Sequence, residues 1–155
     1  MLKQQTTTIE FEERTFELRR IAGQPMAAIV KRLGAALAPL LGLLETQGEQ
    51  GFAHGIAQAL QGLDDESIAF IYNTALRHCY EVKPAGNIRV LENDGRWGVP
   101  DVEYDFILLN FLVVSVLAFC ASFFDVSRLK SARQALQATF PQGLKILAPS
   151  VQSPL

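Results

Sequence analysis

A mainly α fold with a small β component (α+β) is predicted by three features. These are an alternating stretch near the N-terminus, apolar residues spaced by three and four in the middle, and a long uncharged segment further on. The expected architecture is an N-terminal β-hairpin, amphipathic helices and one long apolar central helix. With 155 residues, 49% of them apolar and 19% charged, the chain suits one compact domain, 1–124, followed by a C-terminal helix and Pro-containing tail, 125–155.

The hairpin comes first. In residues 8–21, Ile9, Phe11, Phe16 and Leu18 alternate with Glu10, Glu12, Glu17 and Arg19, the period of strands with one wet face. A turn at Glu13-Arg14 would set Phe11 against Phe16 and Ile9 against Leu18. The period then changes. After Gly23-Gln24-Pro25, the residues Met26, Ile29, Val30, Leu33, Leu37, Leu40, Leu41 and Leu44 make one helical stripe, with a kink expected at Pro39 and an end at Gly48 and Gly51. A short helix is expected over Phe52 to Gln61. Asp64 is the N-cap of the next, with Asp65 and Glu66 in its first turn and Ile68, Ile71, Tyr72, Ala75, Leu76 and Cys79 on one face.

Residues 82–100 are rich in turns. Asp94-Gly95 predicts a two-residue hairpin turn that pairs Glu92 with Trp97 and Val90 with Val99. Beyond Pro100 and Asp101, residues Phe106 to Phe124 form 19 positions without a charge. As a helix they would reach about 28 Å, close to the thickness of a bilayer core. Acidic Asp101, Glu103 and Asp105 precede them, and basic Arg128, Lys130 and Arg133 follow, a polarity that also suits a span with a cytosolic C-terminus. The helical wheel favours packing instead. Leu108, Leu109, Leu112, Val116, Leu117, Phe119 and Phe123 fall on one half; Asn110, Val114, Ser115, Ala118, Ala121 and Ser122 fall on the other, with Ile107 and Phe111. Span, core and subunit contact all remain readings of this segment. A weaker helix is expected over Ser127 to Thr139, then a tail with Pro141, Pro149 and Pro154.

The chemistry is sparse. With 14 basic and 16 acidic residues there is no basic excess for nucleic acid. Cys79 and Cys120 form neither a disulfide framework nor a metal cage, which suggests a reducing cytosol, and the N-terminus lacks the apolar core of a signal peptide. There is no nucleophile elbow, phosphate-cradling glycine loop, dinucleotide fingerprint or zinc-binding histidine pair. His78 and Cys79, as neighbours on a helix, would diverge. A helix N-terminus accounts for Asp64, Asp65 and Glu66. Gly51 and Gly55 are not expected to act as a packing motif, because their segment is not an apolar span. Trp97 and Tyr104 are candidate partner anchors, with packing on the hairpin favoured. No catalytic, cofactor-binding or metal-binding residue is assigned, and a non-enzyme is expected.

The order of these parts carries a resemblance. Strands run into Leu18-Arg19-Arg20-Ile21-Ala22-Gly23, then a helix through Met26–Leu33 to Leu37-Ala38-Pro39-Leu40-Leu41. Next come the acidic cap Leu63-Asp64-Asp65-Glu66, an irregular hairpin and Phe106-Ile107-Leu108-Leu109-Asn110-Phe111. Over residues 9–124 this resembles the tail assembly chaperones of long-tailed bacteriophages, departing at Gln24-Pro25, where relatives carry a basic pair. The resemblance implies a non-enzymatic protein of the host cytoplasm. It would bind the unassembled tape-measure protein, keep it soluble and help the tail tube assemble. Phe111, Phe119 and Phe123 are the expected partner-binding residues, no cofactor is implied, and self-association through the mixed face of the apolar helix is a further expectation. The competing readings are a small membrane protein spanning at 106–124 and a tail-completion subunit of the phage particle.

Overall fold

The computed structural model describes residues 5–121 and 126–139. The predicted α+β class is observed. Strands β1 (Thr6–Phe11), β2 (Arg14–Arg19), β3 (Cys79–Glu81) and β4 (Ile88–Arg89) form one antiparallel sheet in sequence order. The helices are α1 (Gly23–Leu33), α2 (Leu37–Gln61), α3 (Asp65–Leu76), α4 (Pro100–Tyr104), α5 (Phe106–Ala121) and α6 (Val126–Thr139), with a short 3₁₀ turn at Gly34–Ala36. Two compact units divide between Phe123 and Phe124; the first holds everything through α5 and the second holds α6.

The hairpin is present, shifted by two residues from the expected register. Its turn is Glu12-Glu13, so Ile9 faces Phe16 and Thr7 faces Leu18. Both glutamates have positive φ, 48° and 65°, as a turn matched to strand twist demands, at a cost of about 1–2 kcal/mol each for residues with a Cβ. A shift of two preserves parity, so the expected apolar face is still the buried one: Phe16 and Leu18 are fully covered. That face also carries Arg14. Its guanidinium donates from Nε to Glu81 Oε2 at 2.8 Å and from Nη1 to Asp101 Oδ2 at 2.6 Å, tying β2 to β3 and α4. Lys83 Nζ adds a second cation 3.4 Å from the buried Glu81 carboxylate.

The helical stripe of α1 and α2 is interrupted at glycines, not at Pro39. Gly34, with φ 53°, ends α1, and Pro39 sits in the first turn of α2, where a missing N–H breaks no hydrogen bond. At Gly48 the backbone is non-helical, φ 73° and ψ −159°, a region reserved for glycine. There α2 folds back on itself. A Cβ placed on Gly55 would lie 2.6 Å from Leu43 Cδ1 and 2.8 Å from Leu40 Cδ2. In a continuous helix, positions 43 and 55 would be about 18 Å apart. Gly51 and Gly55 are therefore the close-packing face of a helical hairpin, against the expectation. The motif needs only two helices that touch, and a reversal supplies them without a membrane.

The cap at Asp64 is as expected: its carboxylate accepts from the Ser67 N–H at 3.1 Å. The helix stops at Leu76, so Cys79 belongs to β3 instead of the α3 face, while staying buried. The loop after β4 is also displaced by one residue. Leu91 pairs with Trp97, and the Gly95 N–H donates to the Glu92 carbonyl, a three-residue loop. Only Gly95, φ 90°, takes the left-handed conformation there; Asp94 does not, so the two-residue turn is not formed.

Asp105 opens α5, accepting from the Leu108 N–H at 3.1 Å. Leu108, Leu112, Val113, Val116, Leu117, Ala118, Cys120 and Ala121 are buried, against α2, α3, α4 and β2. From Leu108 to Ala121 the central apolar helix is thus a core helix on the half that carries Leu108, Leu112, Val116 and Leu117, while Asn110, Phe111, Val114 and Ser115 on the other half are half-buried. Residues 122–124 of the expected span, and the tail after 139, lie outside the described residues.

Two expectations for stability follow from these contacts. Replacing Gly48 by Ala should cost about 1–3 kcal/mol, whereas Gly42→Ala, in open space within the same helix, should gain about 0.5–1 kcal/mol; urea denaturation reads both. Hydrogen bonds from Arg14, opposed by burial, hold Glu81 and Asp101 below the ordinary carboxylate range. That stability is complete above the unfolded values, about 4.3 and 3.9, and is lost as pH falls through the lower folded ones. The acid limb of stability should flatten in Glu81→Gln, and Arg14→Ala should cost about 3 kcal/mol at pH 7 by leaving a buried carboxylate with Lys83 alone.

Candidate functional site

Of the three phenylalanines expected to bind a partner, Phe111 and Phe119 are the two among the described residues, and both are half-buried. Phe111 is half-buried, its ring centroid 4.9 Å from that of Phe11 with planes inclined by 38°, so it fastens α5 to β1. Its neighbour Asn110 accepts from the Tyr72 hydroxyl and donates from Nδ2 to the Phe106 carbonyl at 2.8 Å, which joins α5 to α3. The Asn-Phe pair of the resemblance is therefore occupied within the fold. Phe119 is half-buried, and Phe123 lies outside the described residues.

Among the described residues, the most exposed large apolar side chains lie one to two turns earlier, with Val82 and Ile88 well below them in exposure. Tyr104 is 85% exposed, Phe106 79% and Ile107 68%. They flank the break between α4 and α5, where Pro100 starts one short helix and extended Asp105 caps the next. The two helices bury Val102 and Leu108 beneath this corner and leave its outer side to the three large side chains. Acidic residues border it: Glu103, Asp105 at the cap and Asp101 on Arg14. Tyr104 does not pack on the hairpin as expected, whereas Trp97 is half-buried. The uncharged segment gives no sequence signal for the exposure of Phe106 and Ile107. A wheel drawn over the uncharged segment assigns faces but does not show which turn projects beyond its neighbours. A second, more partial apolar strip runs along the first arm of α2, where Leu37, Leu41 and Leu44 are half-buried.

Other candidate residues have local roles. His54 is exposed; His78 is half-buried and donates from Nδ1 to the Thr74 carbonyl at 2.7 Å. Burial pushes the Cys79 and Cys120 thiols up, leaving both protonated. Asp64 is held low chiefly by its bonds to Ser67, and Asp94 by those to Arg96. Among the described residues, no three His, Cys, Asp or Glu side chains converge as a metal set.

None of the family models, curated proteins or solved structures compared with the chain matches it. The apolar corner can bury itself against another apolar surface.

Core and corner should separate cleanly in a thermal melt. Leu112→Ala, at a fully buried position, should cost about 2–5 kcal/mol, whereas Phe106→Ser and Ile107→Ser should each stay within about 0.5 kcal/mol of the parent.

Proposed function

We propose that this chain is a non-enzymatic tail assembly chaperone of a long-tailed bacteriophage, which holds the unassembled tape-measure protein in the host cytoplasm until the tail tube forms around it. The observation that supports this reading is the exposed corner of Tyr104, at the end of α4, with Phe106 and Ile107, at the start of a helix that is anchored in the core from Leu108 onward. Three large apolar side chains on a rigid mount suit a partner that presents apolar helical stripes. A long helical polypeptide without its tube exposes such stripes and aggregates through them. A chaperone must later yield its client, and a small corner with a half-buried strip beside α2 offers modest contacts in place of a deep pocket.

The membrane reading has a different claim on the chain. By length and composition alone, Gly23–Gln61 could cross a bilayer, but Gly34 interrupts it and Gly48 reverses it. Phe106–Ala121 is shorter, and eight of its 16 residues are buried against other elements.

Co-expression with the tape-measure protein of the same genome, followed by centrifugation without detergent, is the test. The pair should remain in the supernatant and co-purify, while the tape-measure protein alone pellets. Phe106→Ser and Ile107→Ser should each weaken the complex about 5- to 30-fold, since a central aromatic or aliphatic anchor contributes about 1–2 kcal/mol. Sedimentation with membranes would establish the span reading instead, and retention in purified virions the tail-completion reading.

A further inference from the structure

A cavity of about 480 Å³ opens on a different part of the first unit, where the first turn of α1, the end of α3 and the loop after β4 meet. Gln24, Phe70, Arg77, His78, Arg89 and Asn93 form most of its wall, and its size is that of a small-molecule site. The apolar corner contributes no residue to it.

Cations in this wall outnumber the anions available to them. Arg77 caps the end of α3 and makes one long bond, from Nε to the Glu92 carbonyl at 3.4 Å; among the described residues no carboxylate is paired with its guanidinium. Arg89 donates from Nε to the Arg77 carbonyl at 2.8 Å, which fixes the two side chains relative to each other. Its Nη1 lies 4.0 Å from Glu92 Oε2, the outer limit of an ion pair. Arg19, which also acts on His78, is already matched by Glu17 at 2.7 Å. The positive end of α1 adds to the same field, because no side chain caps it and its first turn holds no acid.

His78 records that field. Burial, with Arg89, Arg19 and Arg77 around it, holds the imidazole below its ordinary range, although its bond to the Thr74 carbonyl works the other way. With Nδ1 committed to that carbonyl, Nε2 has no partner among the described residues. The side-chain amides of Gln24 and Asn93, both exposed at the rim, have none either, so these polar groups are open to a ligand.

We propose that this cavity binds a small organic phosphate, with Arg77 and Arg89 holding the phosphoryl oxygens. Two planar guanidinium forks facing one compensating carboxylate at 4.0 Å favour a dianion over a carboxylate ligand. The volume exceeds the need of a bare oxyanion, and Phe70 with Pro25 supplies an apolar wall for the organic part. The assignment stands on this wall alone and does not depend on the tail-assembly reading.

The chain contains two histidines, and His54 is exposed on α2, so it serves as an internal control. The full chain is titrated with phenyl phosphate and, separately, with benzoate at constant ionic strength, while the imidazole resonances are followed by NMR. A saturable shift of His78 with His54 stationary is expected, together with a rise in the His78 titration midpoint. Phenyl phosphate should bind about tenfold more tightly than benzoate. Arg77→Gln should weaken binding about tenfold, and Asn93→Asp, which sets a carboxylate at the exposed rim, should do the same; a circular dichroism melt verifies that each variant folds. Four results would overturn the proposal: no saturation by about 10 mM, equal shifts at both histidines, benzoate as tight as phenyl phosphate, or undiminished binding in folded variants.

Discussion

A helix without a polar face is stable in water only when other surfaces enclose it, and α5 is such a helix. Its buried aliphatic residues Leu108, Leu112, Val113, Val116 and Leu117 represent about 10 kcal/mol of gross transfer free energy, comparable with the whole net stability of a small domain. The layout follows from what each element offers it. The helix packs against α2, α3 and β2, which bury Leu40, Phe52, Ile56 and Leu60, Ile71 and Ala75, and Phe16 and Leu18 respectively. The small residues Ala118, Cys120 and Ala121 are buried too, whereas Asn110, Val114 and Ser115 are half-buried, so the half of the wheel with small and polar residues is the more open one.

The sheet holds its place by a different means. Arg14, on the covered face beside Phe16 and Leu18, reaches two carboxylates from separate parts of the chain, Glu81 on β3 and Asp101 on α4. Its guanidinium lies 5.3 Å from the Phe16 ring centroid, so one side chain serves packing and charge together. A buried carboxylate such as Glu81 is costly alone and tolerable beside a forked donor, and the pairing fixes which strand stands next to the hairpin.

Local chemistry was readable from the sequence, and long-range contact was not. Period-two alternation identified β1 and β2, and the acidic cap identified the start of α3, because each signal lies within a few neighbouring residues. The register slipped by two where two glutamates adopt a backbone that glycine or asparagine would ordinarily announce. Strands β3 and β4 are three and two residues long and exist by pairing with distant partners, so no local pattern marks them. The same limit applies to function. Tyr104 was a candidate anchor, but Phe106 and Ile107 gain their exposure from a corner that only the packed structure reveals. Gln24, Arg77 and Arg89 share a cavity although the chain spreads them over 66 positions, from 24 to 89.

Because the covering elements precede α5 in the chain, synthesis delivers the wrapping before its contents. The hairpin, α1, both arms of α2 and α3 leave the ribosome with their inner faces unfilled, and β2 waits for β3 some 60 residues later in the chain. At about 5–20 residues per second, the wait from the end of α3 to the end of α5 is a few seconds, during which α2, α3 and β2 lack the helix they pack against. Folding of the first unit is therefore gated by the arrival of one late helix. The interval before it arrives is when the nascent chain would itself be a substrate for the cell's general chaperones.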